Sequence, residues 1–296
     1  MNECKDKKND IPVFEIISFI FLLTYAISLI LPLVWSLITS FKGRIDYRLN
    51  PIGLPKQWEF LFDDVLRQFR APITKNNITT EGGATLGIMA LNSIWYSIGT
   101  SLFSTTVSFL VGYVVARFKF KFCDWIYTVV ILQMIIPTVG TLPSEIAIAQ
   151  GLGLYNTIHG MLFMKSYVTG LYFLSFYAAL RVIPKDYEEA AYLDGASNLR
   201  VMLNIMLPMA SGAYGTIFLL NFIGVWNDYQ TPMVYMPGYP TLAYGLYYLC
   251  NVPRGDIDSS VPMQLAGCML MALPLLLLFT IFHKKLLDNV SLGGLK

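Results

Sequence analysis

Charged residues are scarce in this 296-residue sequence: Asp, Glu, Lys and Arg make up 14% of it, where an ordinary soluble domain carries about 25%. With 55% hydrophobic residues, that deficit excludes an ordinary soluble fold and points to a membrane protein. A net charge of +2 is too small to imply nucleic acid as a partner. The four cysteines (Cys4, Cys123, Cys250, Cys268) are scattered, without a C-x-x-C or a paired histidine. They indicate neither a metal site nor a disulfide framework. No G-x-x-x-x-G-K-[ST] phosphate loop is present, and no internal repeat or low-complexity tract stands out.

What is abundant is apolar length. Crossing a bilayer core of ~30 Å takes ~20 apolar residues of helix. Six segments qualify, at roughly 14–39, 88–116, 122–143, 157–180, 208–233 and 262–283. The first follows a basic flank (Lys5, Lys7, Lys8) and is too long for the ~7–15-residue core of a cleaved signal peptide, so it is expected to be retained. Pro32, Pro137, Gly140, Gly224 and Pro274 fall inside these spans, marking either kinks or close packing.

Six spans put both termini on one side, together with Arg117–Lys121 and Arg181–Arg200. These loops, the N-terminal lysines and Lys284/Lys285 concentrate positive charge there, and the positive-inside rule makes that side cytoplasmic. The 41–86 loop pulls the other way, with seven Lys/Arg among five Asp/Glu. Residues 229–253 are charge-free and hold six tyrosines. They read as an interfacial or external turn, with a broken seventh span as the other reading.

One polar island interrupts the apolar pattern. Arg181–Arg200 carries seven charged residues in twenty positions. Pro184 suits a first helical turn, and Asp186 and Glu189 have capping-box spacing. A helix of about two turns, Tyr187 to Leu193, is expected to end at Gly195 in the left-handed conformation. Ser197 is then placed to cap a second helix leading to Leu207-Pro208. The small pair Ala190-Ala191 leaves a low face for another protein. The plain alternative is a solvated loop between spans.

Glu189-Ala190-Ala191-x-x-Asp194-Gly195-Ala196, with Ile205-x-Leu207-Pro208 at a fixed distance, resembles the EAA loop of permease subunits in bacterial ABC importers. Leu91-Asn92-Ser93 looks like the start of the shared type-1 transmembrane domain. Ser40-Phe41-Lys42, Leu152 to Thr157, Trp226-Asn227-Asp228-Tyr229 and the tail Gly293-Gly294-Leu295-Lys296 are similar to the carbohydrate, maltose-type branch. The resemblance implies an all-α polytopic membrane protein of six transmembrane helices. Residues 1–86 would hold a cytoplasmic N-terminus, the first span and an external loop; 87–284 the type-1 domain, with its coupling loop at 181–208; and 285–296 a cytoplasmic tail. It implies a bacterial plasma-membrane transport subunit for a sugar or oligosaccharide, not an enzyme, working by alternating access. A homologous second permease, two ATP-binding subunits and an extracellular solute-binding protein would be its partners, besides membrane lipid. ATP and Mg would sit on the partner subunits and no cofactor on this chain. Glu189 would anchor the ATP-binding subunit, and Gly195 would turn between the two helices. The long 41–86 loop and Lys165 depart from the pattern and leave the substrate open, a polyol or glycerol phosphate being the alternatives to sugar.

Candidates for the path are Lys165, Asn221, Trp226, Asn227 and Asp228. Lys165, an ionisable residue at membrane depth, either lines the path or snorkels to the outer interface; Glu145 is a possible partner. Amides, a carboxylate and an indole in the fifth span suit a sugar, and helix packing explains Asn and Trp equally well. An ion-coupled transporter would need inverted repeats and intramembrane carboxylates, and would leave the EAA-like loop without a task.

Overall fold

The computed structural model describes residues 13–56, 70–75, 78–136, 140–168, 170–252 and 260–292. The N-terminal lysines, Cys4, Pro137, Arg254 and the 293–296 tail lie outside them. The chain divides into two compact units, residues 1–65 with 254–270 and residues 66–253 with 271–296.

In the first unit, helix α1 (Val13–Thr39) is apolar on every side and leaves its large side chains exposed, among them Phe19, Phe21 and Leu33. A helix greasy all round is a lipid-facing element. Just beyond it, Lys42 is fully buried, and its ammonium donates to the carbonyls of Asn50 at 2.8 Å and Pro51 at 3.2 Å. Trp35 Nε1 donates to the same Pro51 carbonyl at 3.2 Å. Short helix α2 (Arg44–Leu49) lies inside the loop that this latch closes.

The second unit opens with a hairpin, β1 (Ala71–Lys75) and β2 (Ile78–Ala84), antiparallel with Ile73 opposite Thr80 and Lys75 opposite Ile78. The chain is mostly helical, as expected, but not wholly so: the 41–86 loop contains two strands. Their isoleucines and threonines are β-branched and suit a pleated surface, a pattern too short to stand out beside the long apolar runs.

Helix α3 (Leu86–Arg117) is the axis of this unit. Ser93, Ser97, Thr100, Ser101, Ser104, Thr105, Ser108 and Gly112 recur every three or four residues and are all buried. Leu91, Ile98, Leu102 and Phe103 on other faces are exposed. Against the small face pack α7 (Gly170–Val182) and α10 (Ser211–Trp226). A Cβ on Gly112 would stand 3.0 Å from Cβ of Phe176. Phe109 meets Phe176 edge-on at 5.4 Å, and Tyr214 closes the cluster.

Three of the six expected spans are interrupted. The third is α4 (Lys121–Ile135), 15 residues, followed by α5 (Leu142–Gly151). Ile136 is extended, as a residue preceding proline prefers, and Gly140 has φ +80°. The fourth is split into α6 (Ile158–Met164) and α7, with the Lys165 cation at the C-terminal end of α6, where the helix dipole favours it. The fifth, α10, ends at Trp226 and is followed by α11 (Gln230–Tyr235). Among the described residues, Glu15–Thr39, Leu86–Arg117 and Val261–Phe282 are long and apolar enough to cross a membrane unbroken. The pair Asn198–Met209 and Ser211–Trp226, bent by 76°, makes a fourth if taken as one span.

Residues 229–253 also differ from a simple turn. They contain α11 and α12 (Leu242–Asn251), which buries Leu242, Tyr244 and Leu249 and packs on α3 and β1. Without charge, its tyrosines bury their rings as readily as they sit at a headgroup. The last helix, α13 (Val261–Leu292), contains Pro274.

Gly112→Leu is expected to overpack the α3–α7 contact and cost about 1–3 kcal/mol, lowering the thermal unfolding midpoint in detergent. Gly215→Ala, inside α10 with nothing within 4 Å of its Cβ, should hold or raise that midpoint, since alanine is the better helix former.

Candidate functional site

The polar island folds as two helices joined by a glycine turn. Helix α8 (Asp186–Leu193) begins after Lys185, whose side chain makes no capping bond. The expected capping box is thus not formed: Asp186 lies within the helix, and Pro184 lies ahead of it. Asp186, Glu188 and Glu189 instead place negative charge in the first turn, against the positive end of the dipole. At the other end Gly195 has φ +79°. Its N–H donates to Tyr192 O at 3.0 Å, and that of Ala196 donates to Ala191 O at 2.9 Å. This paired pattern is the Schellman stop that the left-handed residue permits.

Ser197 Oγ accepts from the N–H of Arg200 at 3.4 Å and starts α9 (Asn198–Met209). Within it, Met202–Met206 is wound as a π-helix, with the N–H of Leu207 reaching back to Met202 O. Pro208 has no N–H for the carbonyl of Asn204, so the widened turn sits where the ladder is already broken. Ile205 and Leu207 pack against the core formed by Phe176, Leu180, Val201 and Met206.

Helix α8 has two distinct faces. Glu189, Ala190, Tyr192, Asp194 and, at 90% exposure, Leu193 point outward, while Ala191 and Glu188 are buried. Glu188 was missed by the sequence reading, which concentrated on Glu189. Its carboxylate Oε1 stands 3.3 Å from Nε of Arg117. Arg117 Nη2 also donates to the carbonyl of Ile183 at 2.9 Å. The signal available in the sequence was the i, i+3 pairing of Glu188 with Ala191, which puts them on one face.

The path candidates of the fifth span point in different directions. Trp226 is 4% exposed and donates its indole N–H to Met271 O at 3.1 Å, three residues before Pro274 in the turn that the proline ring disturbs. Asp228 is half-buried: Oδ2 accepts from the Tyr96 hydroxyl at 3.0 Å and Oδ1 from the N–H of Thr231 at 3.0 Å, so it ties α3 to the start of α11. Asn227 is exposed, its amide turned back to Ile223 O at 2.8 Å. Asn221 is half-buried, with a buried Nδ2 that lacks a hydrogen-bond partner among the described residues.

Lys165 sits at the break between α6 and α7 and acts electrostatically on Glu145. The Tyr235 hydroxyl donates to Glu145 Oε2, and this bond, ahead of the Thr141 hydroxyl and the Lys165 charge, holds the carboxyl below its usual range. Burial and the same carboxylate push the Tyr235 phenol up.

A carboxyl whose folded value is depressed contributes stability that is present above its unfolded value and lost as pH falls through the folded one. Tyr235→Phe should therefore raise the Glu145 titration midpoint toward that of an ordinary carboxylate. The acid-side loss of thermal stability should become shallower, as followed by carboxyl NMR and melting against pH.

Residues 108–290 match the family described as binding-protein-dependent transport system inner membrane component. The diacetylchitobiose uptake system permease of Streptomyces coelicolor is 27% identical over 95% of this chain and 88% of its own length. The galactooligosaccharides transport system permease of Bacillus subtilis is 30% identical over 68% and 74%. The fold is that of a solved bacterial ABC transporter involved in the import of the polysaccharide alginate, with a TM-score of 0.78 at 18% identity, covering 92% of this chain and 96% of the other. The chain belongs to the family of binding-protein-dependent transport system inner membrane components, and it is a permease chain of the ABC transporter type.

Proposed function

We propose that this chain is the permease subunit of an ATP-driven, binding-protein-dependent importer of a sugar or oligosaccharide. It would form half of a translocation path and couple to an ATP-binding subunit through residues 181–208. The observation that carries the proposal is the outward face of α8, where Glu189, Ala190 and Leu193 stand exposed beside the rigid Gly195 stop. Leu193 does not stand alone: Tyr187, Tyr192 and Leu199 on the same loop are exposed as well, and a group of exposed apolar side chains suits a surface that a partner covers. The sugar assignment rests on the relatives named above, permeases for diacetylchitobiose and galactooligosaccharides.

In this reading the six apolar segments are six spans, three of them broken, with both termini and the α8 loop in the cytoplasm. Breaks are tolerated where a chain lines a cavity rather than lipid. Lys165 at one break and Asn221 and Asn227 on the fifth span then face the path, while Trp226 and Asp228 brace its wall. A homologous permease, two ATP-binding subunits carrying ATP and Mg, and an extracellular solute-binding protein complete the assembly. ATP binding would draw the α8 loops together and open the path outward; hydrolysis would reset it. Loaded binding protein would stimulate hydrolysis because it binds one of the two states better.

In the assembled complex, Glu189→Lys or Gly195→Val should abolish solute-stimulated ATP hydrolysis and uptake while the chain stays in the membrane. Wild-type uptake in both variants would overturn the coupling assignment. Lys165→Met should change the uptake rate more than the membrane abundance of the chain. Equal transport per copy would place that ammonium at the interface instead.

A further inference from the structure

Arg117 and Glu188 form an ion pair, Nε to Oε1 3.3 Å, and their position singles them out. Arg117 is the last residue of α3, and Glu188 is in the first turn of α8 on the side opposite Glu189 and Leu193. Their side chains are 4% and 10% exposed. The same guanidinium touches the entry to the loop at Ile183 O and its exit at Met206 Sδ, 3.9 Å away. One side chain therefore gathers the segments before, within and after the coupling helix.

We infer that the Arg117–Glu188 pair is the joint that transmits movement of the coupling helix α8 to the membrane helix α3. This rests on the proposed role of α8 as the docking element for an ATP-binding subunit. The pair is a positioning device and makes no contact with that subunit. Two features give it the character of a joint. Nε and Oε1 are close but not aligned as a hydrogen bond, since neither atom has a hydrogen-bond partner. A Coulombic contact of this kind keeps its attraction as the helix tilts, whereas an aligned hydrogen bond weakens steeply with angle. The loop also has an irregular turn ahead of the second helix, the left-handed Gly195, and another inside it, the π-wound Met202–Met206.

Burying an ion pair costs desolvation that apolar side chains of similar volume would avoid, so stability alone is a poor reason for it. What the charges add is a fixed pairing. Beyond the joint, α3 runs 32 residues, ~48 Å at helical rise. On it, 21 residues before Arg117 and ~32 Å away at that rise, Tyr96 holds Asp228 just past the close of α10. A push on the outer face of α8 thus acts on a lever that reaches the path candidates.

The test uses the reconstituted complex of permease chains, ATP-binding subunits and solute-binding protein in vesicles. It measures solute taken up per ATP hydrolysed and co-purification of the ATP-binding subunit. E188Q keeps the shape of the side chain and removes the charge. It should leave the ATP-binding subunit bound but reduce uptake per ATP by at least about fivefold, the low end of typical coupling energies. The swap R117E/E188R should recover more of that ratio than either single substitution, the non-additivity expected of a direct pair. A wild-type ratio in E188Q overturns the inference, as does a uniform loss of protein amount with the ratio intact. So does a swap no better than the single variants. Failure of the wild-type chain to co-purify an ATP-binding subunit would instead remove the functional reading on which the joint depends.

Discussion

Inside a bilayer, helices gain nothing from leaving water for one another, so the contact of α3 with α7 and α10 has to come from fit. The serine, threonine and glycine face of α3 supplies that fit by letting neighbouring backbones approach closely, as at Gly112 against Phe176. Of its hydroxyls, those of Ser97, Thr100, Ser101, Thr105 and Ser108 have no hydrogen-bond partner among the described residues, so the fit does not rest on polar contacts between these helices. With α3 fixed in this way, two of its residues, Tyr96 and the terminal Arg117, become reference points. Asp228 is anchored at one by Tyr96, and the 181–208 loop at the other by Arg117.

The sequence made the long elements and the loop legible because each has a strong local signal. The charge-free run to Ala116 marks α3, and Gly195 with Ser197 sets the stop and start of α8 and α9, as found. Less legible were the interruptions. Apolar length cannot report that Ile136 turns extended ahead of a proline or that Lys165 ends a helix, because both halves of a broken span are equally greasy. The hairpin at 71–84 escaped for a related reason: its signal is alternation over a few residues. At the capping box, spacing named the wrong roles, since Asp186 serves the helix dipole from inside the first turn.

Chemistry-bearing residues were identified by type, yet type does not decide direction. Trp226 and Asn227 are neighbours in sequence, and the helix sends one to Met271 O and the other outward. Glu188 and Glu189 divide similarly, one buried on Arg117 and one exposed. An adjacent pair on a helix is separated by about 100°, so a motif written in letters always spans more than one face. Only packing against α3 determines which face is which.

Two glycines of this chain are required for different reasons. At Gly160 an added Cβ would stand 2.1 Å from Leu154 O, so nothing larger than hydrogen fits there. Around Gly195 nothing lies within 4 Å, and the requirement comes entirely from its torsion angle. The turn between α8 and α9 therefore selects for handedness, and a Cβ by itself would meet no obstacle there. Among ordinary residues asparagine, which enters the left-handed region more readily than most, is its natural substitute.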